Sequence, residues 1–201
     1  MAIDYRQARF WQSAPARGDI PGDYGAEVAF AGRSNAGKSS ALNALTEQHQ
    51  LARVSKTPGR TQMINLFLLD PHRRLVDLPG YGYAEVSQSL RAQWHQALAD
   101  YLSNRAALMG IVLLMDIRHP FTEPDCMLLD LADRAGKPVH ILLTKCDKLG
   151  FGAAKAALMA AQRELGARPD RTVQLFSSVE RKGLDELRNK LDGWLTKITL
   201  S

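Results

Sequence analysis

The chain has 201 residues, 45% of them hydrophobic and 23% charged, with a formal net charge of +5. That is enough apolar material for one core and rather little for two, so a single folded domain is expected, and extensive disorder is excluded. Cys126 and Cys146 are far apart and lack metal-ligand spacing. The longest apolar runs, such as 109–115, are too short to span a bilayer, and the first residues carry Asp4, Arg6 and Arg9 instead of a signal-peptide core, so disulfide scaffold, zinc site, membrane partner and secretion are all excluded and a reducing cytoplasm is expected.

Residues 1–25 contain Pro15, Pro21 and several glycines without a clear period, and read as an N-terminal arm whose Phe10 and Trp11 pack on the domain. From residue 26 to 198, apolar runs alternate with helical spacing. Strands are predicted at 28–31, 64–69, 75–77, 109–116, 139–144 and 172–176. Helices are predicted at 38–45, 90–102, 123–135, 153–165 and 184–195, with Gly136 and Gly166 as stops. The order implies an α/β, three-layer fold: a six-stranded, mostly parallel sheet covered by helices on both faces, with ligands at the carboxyl ends of the strands. The basic pairs Arg73–Arg74 and Arg181–Lys182 read as solvated surface, while the overall basic balance suits a polyanionic partner.

The first motif, Gly32-Arg33-Ser34-Asn35-Ala36-Gly37-Lys38-Ser39, fits G-x-x-x-x-G-K-[ST] and lies between a predicted strand and a predicted helix that continues through Ser40. Such a loop wraps backbone N–H groups around a β-phosphate at the positive end of a helix. Lys38 then bridges the β- and γ-phosphates and Ser39 offers a hydroxyl to Mg²⁺. By itself the loop does not distinguish ATP from GTP.

Specificity is expected from Thr144-Lys145-Cys146-Asp147, a [NT]-K-x-D string after an apolar strand. A carboxylate at Asp147 accepts from guanine N1–H and its exocyclic amine, whereas adenine presents an acceptor there and leaves the charge unpaired. Lys145 lays its stem along the base, and Cys146 faces away as filler. An ordinary turn with Asp147 as a helix N-cap is the competing reading. Phe176, Ser177 and Ser178 follow the last predicted strand and resemble the serine loop whose backbone amide meets guanine O6.

Two further segments match the loops that sense a terminal phosphate. Asp77-Leu78-Pro79-Gly80 supplies D-x-x-G, in which Asp77 holds a Mg²⁺-bound water and Gly80 offers its N–H to the γ-phosphate. Upstream, the polar stretch 56–63 includes Gly59, Arg60, Thr61, Gln62 and Met63; Thr61 is the candidate to complete the metal site, with Thr57 competing. The five segments occur in one order, and that order carries more weight than any of them alone.

With those residues, the chain resembles the YihA/YsxC/EngB family of bacterial GTP-binding proteins from residue 27 onward. The most telling strings are Gly32 to Ser40, Lys56 to Gln62 and Asp77-Leu78-Pro79-Gly80-Tyr81-Gly82-Tyr83-Ala84. The resemblance implies a Ras-like fold, GTP and GDP as ligands, Mg²⁺ on Ser39 and Thr61, and action on ribosomal RNA or a precursor of the large ribosomal subunit. It also implies a requirement in cell division and septation. A monomer is expected, with no DNA site.

Tyr81 stands where many GTPases carry a water-orienting glutamine, so hydrolysis by the isolated chain is expected to be slow. Asn35 matches the asparagine of phosphate loops that use K⁺ in place of an arginine finger, the alternative being that it only supports the turn. Two rivals remain on sequence grounds: an ATP-dependent kinase, which Asp147 argues against, and a nucleotide-gated scaffold with little hydrolysis. None of the five histidines has metal-binding spacing, and they read as structural or surface residues.

Overall fold

The computed structural model describes residues 3–52, 63–81 and 88–198, so Gly59, Arg60, Thr61 and Gln62 lie outside the described residues, as does Thr57. The strands are β1 (Arg9–Ala14), β2 (Ala26–Gly32), β3 (Ile64–Asp70), β4 (Arg73–Asp77), β5 (Leu108–Asp116), β6 (Val139–Thr144) and β7 (Arg171–Leu175). The helices are α1 (Lys38–Thr46), α2 (Gln88–Asn104), α3 (Glu123–Arg134), α4 (Phe151–Leu165) and α5 (Leu184–Leu195). One sheet runs in the order β1-β3-β4-β2-β5-β6-β7. Pairing is parallel from β4 through β2, β5 and β6 to β7, and antiparallel between β1, β3 and β4.

Every residue of β2 and β6 is buried, as expected for parallel strands covered on both faces. Alternation along β5 divides the interior. Ile111, Leu113 and Met115 face a core built with Leu98, Tyr101, Leu128, Ala154 and Ala161 from α2, α3 and α4. Val112 and Leu114 face a second core with Leu42, Leu45, Leu187, Leu191 and Trp194 from α1 and α5. Gly110 lets Trp194 lie directly on β5; a Cβ there would come within 2.6–2.7 Å of the indole ring.

The sheet has seven strands where the sequence predicts six, because the reading of residues 1–25 as an arm misses β1. Main-chain pairing with β3 holds this segment, with an irregularity between Phe10 and Gln12. Trp11 is half-buried and packs against the core, whereas Phe10 is 56% exposed, with its ring edge-on to that of Phe67. A bulged, partly polar edge strand resists continued pairing with other chains.

Arg74 also corrects the sequence reading, since it is buried and not solvated. Its Nε donates to Glu27 Oε1 at 2.7 Å, while Arg105 Nη2 and Nε donate to Glu27 Oε1 and Oε2 at 2.6 and 3.0 Å. The Tyr101 hydroxyl adds a fourth bond to Glu27 at 3.1 Å. Arg105 reaches the Gly22 carbonyl at 2.9 Å and Arg74 the Tyr24 carbonyl, so the network anchors the approach to β2 at the strand end opposite the motif loops. Among the described residues, no helix is long and apolar enough to cross a membrane.

Candidate nucleotide site

The phosphate-loop sequence is the direct link between β2 and α1. Gly37 caps α1 with φ near +98°, a conformation that side-chain-bearing residues rarely adopt, and Asn35 is left-handed at φ 64°. Asparagine tolerates that conformation better than most residues, which accounts for Asn35 as a turn residue. The Thr144 hydroxyl, at the end of β6, donates to the Ala36 carbonyl at 2.7 Å and shares its proton with Met115 O at 3.1 Å. Thr144 thus ties the loop to β6 and β5 from a buried position.

Lys38, Ser39 and Ser40 form the first turn of α1, so their N–H groups belong to its positive end. The Lys38 ammonium donates directly to Asp77 Oδ1, bringing D-x-x-G against the phosphate loop. Backbone bonds continue the register of β2 with β4: Leu78 N donates to Phe30 O at 3.0 Å, Ser34 N to Tyr81 O at 2.8 Å and Tyr81 N to Gly32 O at 3.4 Å. Gly80 lies over Ser34, where an added Cβ would come 3.5 Å from its Cα and N, an ordinary contact. Leu78 is buried and Pro79 half-buried, while Met63 leads into β3.

The other cluster joins the loops after β6 and β7. Lys145, left-handed at φ 59°, donates from Nζ to Asn35 O at 2.8 Å and to Asp116 Oδ2 at 2.9 Å. Cys146 is buried as filler, and its N–H donates to Phe176 O at 3.2 Å. Ser177 Oγ donates to Asp147 Oδ1 at 2.7 Å, which holds the Asp147 carboxyl below its ordinary value. Ser177 N donates to Lys182 O at 3.1 Å, and buried Phe176 donates from N to Leu143 O at 2.9 Å, leaving Ser178 as the next residue of that loop.

Sequence reasoning misses two residues here. Asp116 closes β5 and holds both Lys145 and Arg118, and those bonds keep its carboxyl ionised; an acid ending a buried apolar strand was the available signal. Asp125 at the start of α3 accepts from the Tyr81 hydroxyl at 3.0 Å. Arg33, half-buried in the motif, has its Nε buried without a hydrogen-bond partner among the described residues.

Residues 27–145 match the family described as 50S ribosome-binding GTPases. Over 197 residues the chain is 52% identical to the probable GTP-binding protein EngB of Salmonella paratyphi B, and equally to that of Salmonella typhimurium, with 98% of this chain and 94% of each relative covered. The chain belongs to the EngB family of GTP-binding proteins. Its fold is similar to the crystal structure of a probable GTP-binding protein engB, with a TM-score of 0.70 at 19% identity over 86% of this chain and 100% of that one. It is also similar to Era in complex with MgGDPNP and nucleotides 1506–1542 of 16S ribosomal RNA, with a TM-score of 0.64 at 22% identity over 89% and 58%. The G domain of the T. maritima FeoB iron transporter aligns with a TM-score of 0.53 at 28% identity over 84% and 98%. The chain is thus an EngB-type GTP-binding protein, which weighs against the ATP-dependent kinase alternative.

Proposed function

We propose that the chain is a switch that binds GTP and GDP with Mg²⁺, acts in the cytoplasm in assembly of the large ribosomal subunit, and is required through that role for cell division and septation. The observation that carries the nucleotide part is the Asp147–Ser177 pair. One carboxylate oxygen accepts from a fixed hydroxyl at 2.7 Å, and the ionised group is aligned as an acceptor for guanine N1–H and its amine. Because Ser177 N is engaged by Lys182, the O6 contact falls to the N–H of Ser178. The bridge from Lys145 to Asn35 then couples base recognition to the phosphate loop, where the N–H groups of Asn35, Gly37 and Lys38 and the Lys38 ammonium take the phosphates.

The oxygen set fits Mg²⁺. Ser39 offers a hydroxyl and Asp77 a carboxylate, suited to a hard ion that retains waters and substrate oxygens, and Thr61 would complete the set with nucleotide present. When bound, the ion neutralises charge on the β- and γ-oxygens. The left-handed turn geometry accounts for Asn35 as a turn residue, and hydrolysis compared in potassium and sodium chloride at equal ionic strength tests the K⁺ role.

Hydrolysis by the chain alone is slow on this reading, because the Tyr81 hydroxyl is buried against Asp125 and is not aimed at an attacking water. The same observation favours a second reading, a nucleotide-gated scaffold with little turnover; GTP turnover on purified precursor subunits separates the two. The family's 50S ribosome-binding description and the Era–RNA neighbour support a ribosomal partner.

The deciding experiment is nucleotide titration of Asp147→Asn. Guanine affinity should fall roughly 100-fold, as expected when a charged hydrogen-bond pair is lost, with xanthine nucleotides gaining in its place. Unchanged guanine affinity, or a preference for ATP in the unaltered protein, would overturn the assignment.

A further inference from the structure

Tyr81 occupies the place of a catalytic glutamine, yet it is 4% exposed and points into the molecule. It is held from four directions. Its N–H donates to Gly32 O and its carbonyl accepts from Ser34 N, so its peptide is bracketed by the two ends of the first phosphate-loop turn. Its ring packs against Trp94 of α2 at a centroid distance of 5.3 Å. Its hydroxyl donates to Asp125 Oδ1 at 3.0 Å.

Asp125 is an unusual anchor. It is 1% exposed, and its other oxygen, Oδ2, accepts from Thr122 N at 3.0 Å and Thr122 Oγ at 2.7 Å in the capping box of α3. The positive end of α3 and these donors stabilise the carboxylate, with no Lys or Arg nitrogen in an ion pair with it among the described residues. Burial and the neighbouring Asp125 charge push the Tyr81 phenol well above its ordinary range, so it remains a protonated donor throughout neutral pH. A buried carboxylate with a phenol as its outward partner fixes one geometry, because either group left unpaired would carry its full desolvation cost.

Gly80 immediately precedes this fixed residue and lies over Ser34. We infer that Tyr81 is a positioning residue for the terminal phosphate: Asp125 and the phosphate-loop backbone hold the Tyr81 peptide and side chain, and through them set where the Gly80 N–H points. This inference rests on the reading of Gly80 as the γ-phosphate donor. Tyr81 substitutes rigidity of that donor for the water-orienting role its position has in other GTPases, and links α3 to the presence of a third phosphate.

The inference predicts a defect confined to the third phosphate. Tyr81→Phe keeps the ring on Trp94 and removes only the hydroxyl. With Mg²⁺ present, its affinity for a non-hydrolysable GTP analogue should fall about five- to tenfold, the usual scale of one lost hydrogen bond, while GDP affinity stays within about twofold. Asp125→Asn should move the analogue-to-GDP ratio in the same direction, and adding it to Tyr81→Phe should change the ratio no further. Equal losses for both nucleotides, or an unchanged ratio in Tyr81→Phe, would overturn the inference; if Asp125→Asn does not fold, Tyr81→Phe decides alone. Failure of the unaltered chain to bind either nucleotide would overturn the functional reading and this inference together, whereas normal binding with an unmoved ratio sinks the inference only.

Discussion

His140, the second residue of β6, is enclosed by two side chains of β7: Nδ1 meets Thr172 Oγ at 2.8 Å and Nε2 meets Gln174 Oε1 at 2.7 Å. The Gln174 amide nitrogen donates to Gly183 O at 2.8 Å, which fixes its oxygen toward the histidine and places the imidazole proton on Nε2. Burial opposes charging this ring and pushes it down to about 4, against an ordinary 6.5. The unfolded chain therefore binds a proton here as pH falls below about 6.5, while the folded chain does so only near 4. Stability is fully present above about pH 6.5 and is lost through that window, by about 3 kcal/mol at most for this group. Urea midpoints measured from pH 7.5 to 4.5 should fall less steeply in His140→Gln than in the unaltered protein; parallel profiles would contradict it. At this scale the sequence is legible where a motif fixes the partner and opaque where it does not. Lys38, Asp77, Lys145 and Asp147 come together as their spacing requires, but Arg74 finds Glu27 across 47 positions and Arg105 finds it across 78, and no local period reveals such a pairing.

Among elements, the same substitution should have opposite signs at two glycines on either side of the Trp194 packing, Gly110 in β5 and Gly193 in α5. Gly110 on β5 supports the face of Trp194, and a Cβ at 2.6 Å from the ring must displace a buried indole. Gly110→Ala should cost about 1–3 kcal/mol by overpacking, or about 2–4 °C in Tm per kcal/mol for a chain of this size. Gly193, one residue before Trp194 in α5, has nothing within 4 Å of its built Cβ, so Gly193→Ala should raise stability by about 0.5–1 kcal/mol through helix propensity. Thermal melts of the two variants test the contrast; movement in the same direction would refute this packing account. The predicted elements from β2 onward agree with the observed ones because fully buried parallel strands leave uninterrupted apolar runs and the helices between them keep a clear stripe. β1 escaped because an edge strand with exposed Arg9, Phe10 and Ser13 and a bulge at its centre has neither alternation nor an apolar run.

Across the whole molecule, the chemistry collects at one end of the sheet and the stabilising charge network at the other. Glu27, Arg74 and Arg105 brace the amino ends of the central strands, while the phosphate loop, Asp77, Asp116, Asp147 and Ser177 gather at the carboxyl ends. On the proposed switch, a third phosphate would reorganise the ligand-facing rim while the braced end of the sheet holds, giving different surfaces with GTP and with GDP. With a net charge of +5, association with a polyanionic partner is electrostatically favoured for the molecule as a whole. Precursor large ribosomal subunits should therefore retain more of the protein with a non-hydrolysable GTP analogue than with GDP. Retention in both cases should weaken as salt rises from about 50 to 200 mM, as counterion release requires. Sedimentation of such particles with labelled protein measures both effects. Equal retention with the two nucleotides would remove the switch from the proposed function, and salt-independent retention would show that the contact is made by packing and not by the basic surface.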